Sequence, residues 1–143
     1  MSASKHHLYH RLQLAAHVLN KAADKAVLES ANITTAQAAL LGIVRSGRQV
    51  TQKHIASTLS INESAVTAMV NRLLKLGYLQ RQRSTTDARA WLVSVSDSGL
   101  EALKSMVEPF SEINAILDDA IPSEKMDDLV IYLKKITNLF SSD

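Results

Sequence analysis

Between Thr51 and Val95 two short helical patterns, a tight turn and two strand-like segments follow one another without a linker, and few folds accept that order. Ile55, Ala56 and Leu59 are apolar at helical spacing in a short run opened by Thr51, whose hydroxyl suits an N-cap. Ser60-Ile61-Asn62 interrupts the run. A second helical pattern follows, capped by Asn62, with Val66, Met69, Val70, Leu73 and Leu74 on one face. Gly77 stands where a left-handed residue ends such a helix. Trp91-Leu92-Val93-Ser94-Val95 is strand-like by residue type, and Ser84-Thr85-Thr86-Asp87 before it is turn chemistry. These signals predict helices over Thr51–Leu59 and Glu63–Leu76, then strands over Leu79–Ser84 and Ala90–Ser96. The order is a helix-turn-helix followed by a β-hairpin wing.

Charge is distributed unevenly around this pattern. From Arg45 to Trp91 there are eight basic residues (Arg45, Arg48, Lys53, Arg72, Lys75, Arg81, Arg83 and Arg89) against two acids, Glu63 and Asp87. Residues 92–143 hold four lysines and ten acids. The overall formal charge of +2 therefore hides a basic middle and an acidic C-terminal third. A basic segment coincident with a helix-turn-helix is the electrostatic footprint of phosphate binding.

At 143 residues, with 46% apolar content, the chain suits one domain, or one small domain plus an oligomerisation element. With no cysteine it has neither disulfides nor thiol redox chemistry. No apolar run approaches a membrane span, and the polar, histidine-rich first ten residues hold no signal-peptide core, so a cytoplasmic protein without membrane contact is expected. Leu8, Leu12, Ala15, Ala16 and Leu19 predict an amphipathic helix over Lys5–Leu28. Thr34 and Gln37 form the pattern of a capping box for a helix running to about Arg45. After a cap among Ser96, Asp97 and Ser98, a long helix is predicted through Leu117, kinked at Pro109. A last helix from Pro122-Ser123 carries Met126, Leu129, Val130, Leu133, Ile136 and Phe140 on one face. The terminal helices have more apolar stripe than a small winged domain can cover, which predicts a homodimer. The fold class expected is mainly α with a small β-wing. Residues 33–96 are read as the DNA-binding domain, and 1–32 with 97–143 as a helical dimerisation region.

Several motifs resemble the MarR family of winged helix-turn-helix transcriptional regulators. They are Ile33-Thr34-Thr35-Ala36-Gln37, Thr51 to Ala56 with Leu59-Ser60-Ile61 and Val66-Thr67, Arg72-Leu73 with Gly77-Tyr78-Leu79-Gln80-Arg81, Asp87-Ala88-Arg89, and Val95-Ser96-Asp97-Ser98-Gly99. The resemblance implies a homodimer on a pseudo-palindromic operator, typically a repressor relieved by a small aromatic or phenolic effector. The sequence departs from the family at Ala68, where many relatives carry arginine, and at Ala65, where serine is frequent. Both departures reduce polar contact on the recognition helix.

Ser64, Thr67, Ala68 and Asn71 are the residues expected to meet base edges. The hydroxyls and amide supply hydrogen bonds, Asn suiting adenine, and Ala65 and Ala68, both expected to face outward, can pack on a thymine methyl. Arg89 at the wing tip suits a narrow minor groove, with Asp87 orienting it across the turn. Gln52, Lys53, Arg72, Lys75, Arg81 and Arg83 are expected to contact phosphate and to position the protein rather than specify sequence. His6, His7 and His10 share helical spacing, yet no carboxylate or cysteine accompanies them, so no metal site and no cofactor are expected. No Gly-x-Ser-x-Gly turn or phosphate loop occurs, and no enzymatic activity is expected. The competing function is a winged-helix protein-interaction module without specific DNA binding.

Overall fold

Local capping decides most helix boundaries in the computed structural model, which describes residues 5–47, 50–83 and 91–141. The elements are α1 (Leu8–Ala31), α2 (Thr35–Ser46), α3 (Gln52–Leu59), α4 (Glu63–Lys75), β1 (Leu79–Arg83), β2 (Trp91–Val95), α5 (Asp97–Ser105), α6 (Val107–Ala120) and α7 (Ser123–Phe140). Thr34 and Gln37 form the expected capping box, the Gln37 amide donating to Thr34 Oγ at 3.2 Å and the Thr34 amide to Gln37 Oε1 at 3.0 Å. Thr51 accepts from the His54 amide, Asn62 from Ala65, and Ser96 from Gly99, so each oxygen satisfies an N–H that its helix leaves free. Gly77, at φ +79°, ends α4 in a Schellman motif: Tyr78 N–H reaches the Leu73 carbonyl and Gly77 N–H that of Leu74.

One expected helix is two. The chain breaks at Met106, between α5 and α6, rather than bending through Pro109. Proline has no N–H for the Ser105 carbonyl, and its ring crowds that oxygen. Starting a new helix at Val107 moves Pro109 into a first turn, where the missing N–H has no intrahelical partner to lose. Similarly, α1 starts later than expected and runs three residues further, to Ala31, where Asn32 takes a left-handed conformation at φ 59°.

The described chain divides into two compact units, one ending at Pro109 and the other starting at Phe110. The first has a continuous core. Val27 and Ala31 of α1, Leu40, Leu41 and Val44 of α2, Ile55 of α3, and Val66, Val70 and Leu73 of α4 meet Leu79, Val93, Ala102 and Met106. Each fully buried aliphatic side chain contributes about 1.5–3 kcal/mol of transfer free energy. Polar ties fix the same unit. Asp24 accepts from the Thr35 amide at 2.7 Å and from the Thr35 hydroxyl at 2.6 Å, joining α1 to the start of α2. Those two bonds hold its carboxyl below the usual carboxylate range. Tyr78 OH donates to the Ala31 carbonyl at 2.8 Å, and Ser96 Oγ donates to the Gly77 carbonyl. Gly99 packs so closely on Tyr78 that an added methyl would overlap the Tyr78 carbonyl oxygen.

β1 and β2 pair antiparallel with Leu79 opposite Val95, Arg81 opposite Val93 and Arg83 opposite Trp91. Val50 bridges to Val93. In the second unit no residue of α7 is buried. Met126, Leu129 and Ile136 are half-buried, and Val130, Leu133 and Phe140 of the same stripe are exposed. No single described helix is long and apolar enough to cross a membrane.

Candidate nucleic-acid interface

α4 divides its surface sharply. Val66, Val70 and Leu73 are fully inaccessible, while Ser64, Thr67, Ala68, Asn71, Arg72 and Lys75 are exposed. The helical period produces this split: positions 66, 70 and 73 share the core stripe, and 64, 67, 68 and 71 occupy the opposite face. Ala65, expected on the outward face, is instead half-buried, because it stands beside Val66 at the edge of the core stripe. The exposed face is polar and slender, because its residues are short.

Three hydrogen bonds set how that face is presented. Ser64 Oγ donates to Asn62 Oδ1 at 2.6 Å, within the cap of α4. Thr67 Oγ lies 2.9 Å from Gln52 Oε1 and 2.9 Å from the Glu63 carbonyl oxygen, so its single proton goes to one or the other. The Gln52 contact ties the first residue of α3 to the middle of α4. Arg81 Nη2 donates to Asn71 Oδ1 at 3.4 Å, linking β1 to the third turn of α4.

The strand period explains the last contact. Leu79 is buried, and side chains two residues apart in a strand share a face. Arg81 therefore leaves β1 on the core side, and Val93 directly opposite it is also buried. Beyond the edge of the core, that side meets α4. The alternation Leu79-x-Arg81-x-Arg83 carries this signal in the sequence, although residue type alone assigns Arg81 only to phosphate.

Electrostatically the site is one-sided. Lys53, Arg72, Lys75, Arg81 and Arg83 are exposed, and Gln52 is half-buried among them in sequence. Glu63 is the acid described in this stretch, and it sits in the first turn of α4, where it complements the positive end of the helix dipole. Asp87 and Arg89, the expected wing pair, lie outside the described residues. The structure brings Gln52 to Thr67 and Arg81 to Asn71, and places Lys53, Arg72, Lys75 and Arg83 on the exterior. Among the described residues, no group of three or more His, Cys, Asp or Glu side chains gathers to hold a metal ion.

Three residues have positioning roles that the local sequence does not announce, Asp24, Tyr78 and Gly99, although Tyr78 and Gly99 fall within the family-like motifs. Each acts through a partner distant in sequence, and Tyr78 reaches 47 residues back to Ala31.

Comparison with known proteins agrees with this fold. Residues 31–90 match the MarR family. An uncharacterized HTH-type transcriptional regulator of Bacillus cereus is 26% identical over 110 residues, spanning 76% of this chain and 73% of the relative. The fold superposes on Staphylococcus aureus MepR in its DNA complex with a TM-score of 0.81 at 21% identity, covering 97% of this chain and all of that one. It also superposes on Sco3205, a MarR family transcriptional regulator from Streptomyces coelicolor solved in complex with DNA. There the TM-score is 0.86 at 18% identity, covering 100% of this chain and 91% of the other.

Proposed function

We propose that this chain is a MarR family winged helix-turn-helix protein, residues 31–90 matching that family, and that it is a sequence-specific DNA-binding transcriptional regulator. It acts as a homodimer on a pseudo-palindromic operator. The observation that carries the reading is the divided surface of α4: a fully buried apolar stripe behind, and an exposed polar face flanked by basic residues in front. A helix so anchored can enter a major groove without loss of core.

In this reading Ser64, Thr67, Ala68 and Asn71 meet base edges, and Gln52, Lys53, Arg72, Lys75, Arg81 and Arg83 face phosphates. Arg89, oriented by Asp87, enters the minor groove from the wing. The exposed apolar residues of α1 and α7, among them Leu14, Val18, Leu133 and Phe140, support the dimer. The chain works as a cytoplasmic repressor, released when a small aromatic or phenolic effector favours a conformation whose recognition helices miss the two half-sites. MepR and Sco3205 were each solved with DNA, which supports DNA as the partner here.

The test is selection of bound duplexes from a random pool, followed by salt titration of the winner. The expected winner is palindromic, with half-sites about 10 base pairs apart and affinity falling steeply with salt. A folded chain that enriches no sequence would overturn the reading in favour of a protein-interaction module.

A further inference from the structure

We propose that Arg81 sets the base preference of α4 by holding Asn71 as a hydrogen-bond donor toward guanine; the proposal rests on α4 being the helix that enters the major groove. Arg81 is then a specificity-determining positioning residue as well as a source of positive charge.

The argument starts from the amide of Asn71. It has one acceptor atom and one donor group, and a free asparagine reads adenine with both: Oδ1 accepts from N6 and Nδ2 donates to N7. Here Oδ1 faces Arg81 Nη2 at 3.4 Å. A guanidinium has no acceptor, so the amide atom turned toward it must be the oxygen; the reverse orientation would oppose two donors. Nδ2 is thereby turned away from β1. One lone pair of Oδ1 is occupied, and a positive charge lies beside the other. An adenine N6 amino group approaching that lone pair brings its own partial positive charge against the guanidinium. Guanine brings O6 and N7, both acceptors, so the amide N–H groups and the guanidinium meet only complementary charge. Both side chains are exposed, so the pair is available to a duplex.

The pairing is built into the fold. Leu79 and Val93 are buried, which fixes the face of β1 on which Arg81 stands. Val70 and Leu73, on either side of Asn71 in sequence, are fully buried and fix the rotation of α4. A one-residue slip of either element would move its side chain to another face.

The experiment applies duplex selection to the full-length chain and to Asn71→Ala, Arg81→Ala and the double variant, with thermal unfolding confirming that each folds. In the unmodified chain one position of each half-site is expected to require guanine, and Asn71→Ala is expected to abolish that requirement. Arg81→Ala is expected to shift the same position toward adenine, the guanine-to-adenine ratio falling about tenfold. In the Asn71→Ala background, Arg81→Ala is expected to change no base preference. If Arg81→Ala instead weakens every sequence equally and lowers the salt slope by about one, Arg81 is a phosphate contact only and the proposal falls while the DNA-binding reading stands. If the unmodified chain enriches nothing, both fall together.

Discussion

Helices α4 and α7 are both amphipathic, yet they are secured differently. In α4, Val66, Val70 and Leu73 are wholly inaccessible, and what remains outside is short and polar. In α7, 18 residues long, no residue is buried, and Tyr132 and Phe140 are 61% and 84% exposed. α4 therefore draws its stability from its own chain and leaves a polar face free. The C-terminal helix carries an apolar face that its own chain does not cover. In the proposed reading, one helix is finished for contact with DNA and the other awaits a second copy of the chain.

The strongest way to break this contrast is to charge the uncovered face. Leu133 and Phe140 lie two helical turns apart on the α7 stripe, and both are exposed. Leu133→Glu with Phe140→Glu is expected to leave the first unit folded but convert a dimer to monomer. Each desolvated, unpaired carboxylate at an interface costs on the order of several kcal/mol. Sedimentation velocity with far-UV circular dichroism reads both effects, and operator affinity should fall at least about a hundredfold because one half-site is lost. An unchanged sedimentation coefficient would mean that this face is not the dimer contact.

On the finished side, Leu73→Ala is expected to destabilise the first unit by about 2–5 kcal/mol, because the close-packed core around it cannot collapse into the cavity. Urea unfolding would show a lower midpoint at an unchanged slope. A loss below about 1 kcal/mol would mean that the core is less tightly packed than the burial of Leu73 indicates.

Which parts of this contrast are legible in the sequence follows the range of the forces involved. Thr34 with Gln37, Asn62 and Gly77 are readable because a cap acts within a few residues of itself, and the cap of α5 is readable to within Ser96, Asp97 and Ser98. The division of α4 is readable because helical period alone assigns its faces. The break at Met106 is only half readable. Pro109 announces that the helix cannot continue unchanged, but not that restarting at Val107 relieves the conflict better than bending. Asp24 with Thr35, Tyr78 with Ala31 and Arg81 with Asn71 are not readable, because each joins two elements whose relative placement comes from the core. Arg81 comes nearest, since its strand alternates with Leu79. The wing pair, Asp87 and Arg89, rests on its motif alone.

A smaller effect is expected at the joint between α1 and α2. Asp24 accepts two hydrogen bonds from Thr35, which lower its folded pKa below the unfolded value of about 3.9. A depressed carboxylate pKa stabilises the fold above the unfolded value, and that contribution is lost as pH falls through the folded value. Asp24→Asn is therefore expected to cost about 1–2 kcal/mol at neutral pH and much less in strong acid. Thermal unfolding across roughly pH 2–7 checks the sign. Equal destabilisation at both ends would assign the loss to packing rather than to charge.

The smallest expected change sharpens the contrast by improving the finished side alone. α3 and α4 end in the same Schellman motif. In α4 the left-handed position is Gly77, whereas in α3 it is Ser60, at φ 55°, with Ile61 N–H reaching the Ala56 carbonyl and Ser60 N–H that of Ser57. A left-handed conformation costs an L-residue about 1–2 kcal/mol, which glycine avoids. Glycine also loses more backbone freedom on folding, which removes about 0.5–1 kcal/mol of that gain. Ser60 is exposed, so little packing is lost with its side chain. The balance for Ser60→Gly is a stabilisation of about 0.5 kcal/mol, read by urea unfolding. Dimer dissociation should not change, because the turn between α3 and α4 belongs to the first unit and the uncovered stripe of α7 to the second. If Ser60→Gly instead destabilises the chain, the serine side chain contributes to the helix-turn-helix geometry directly, and the turn is more than a joint between two caps.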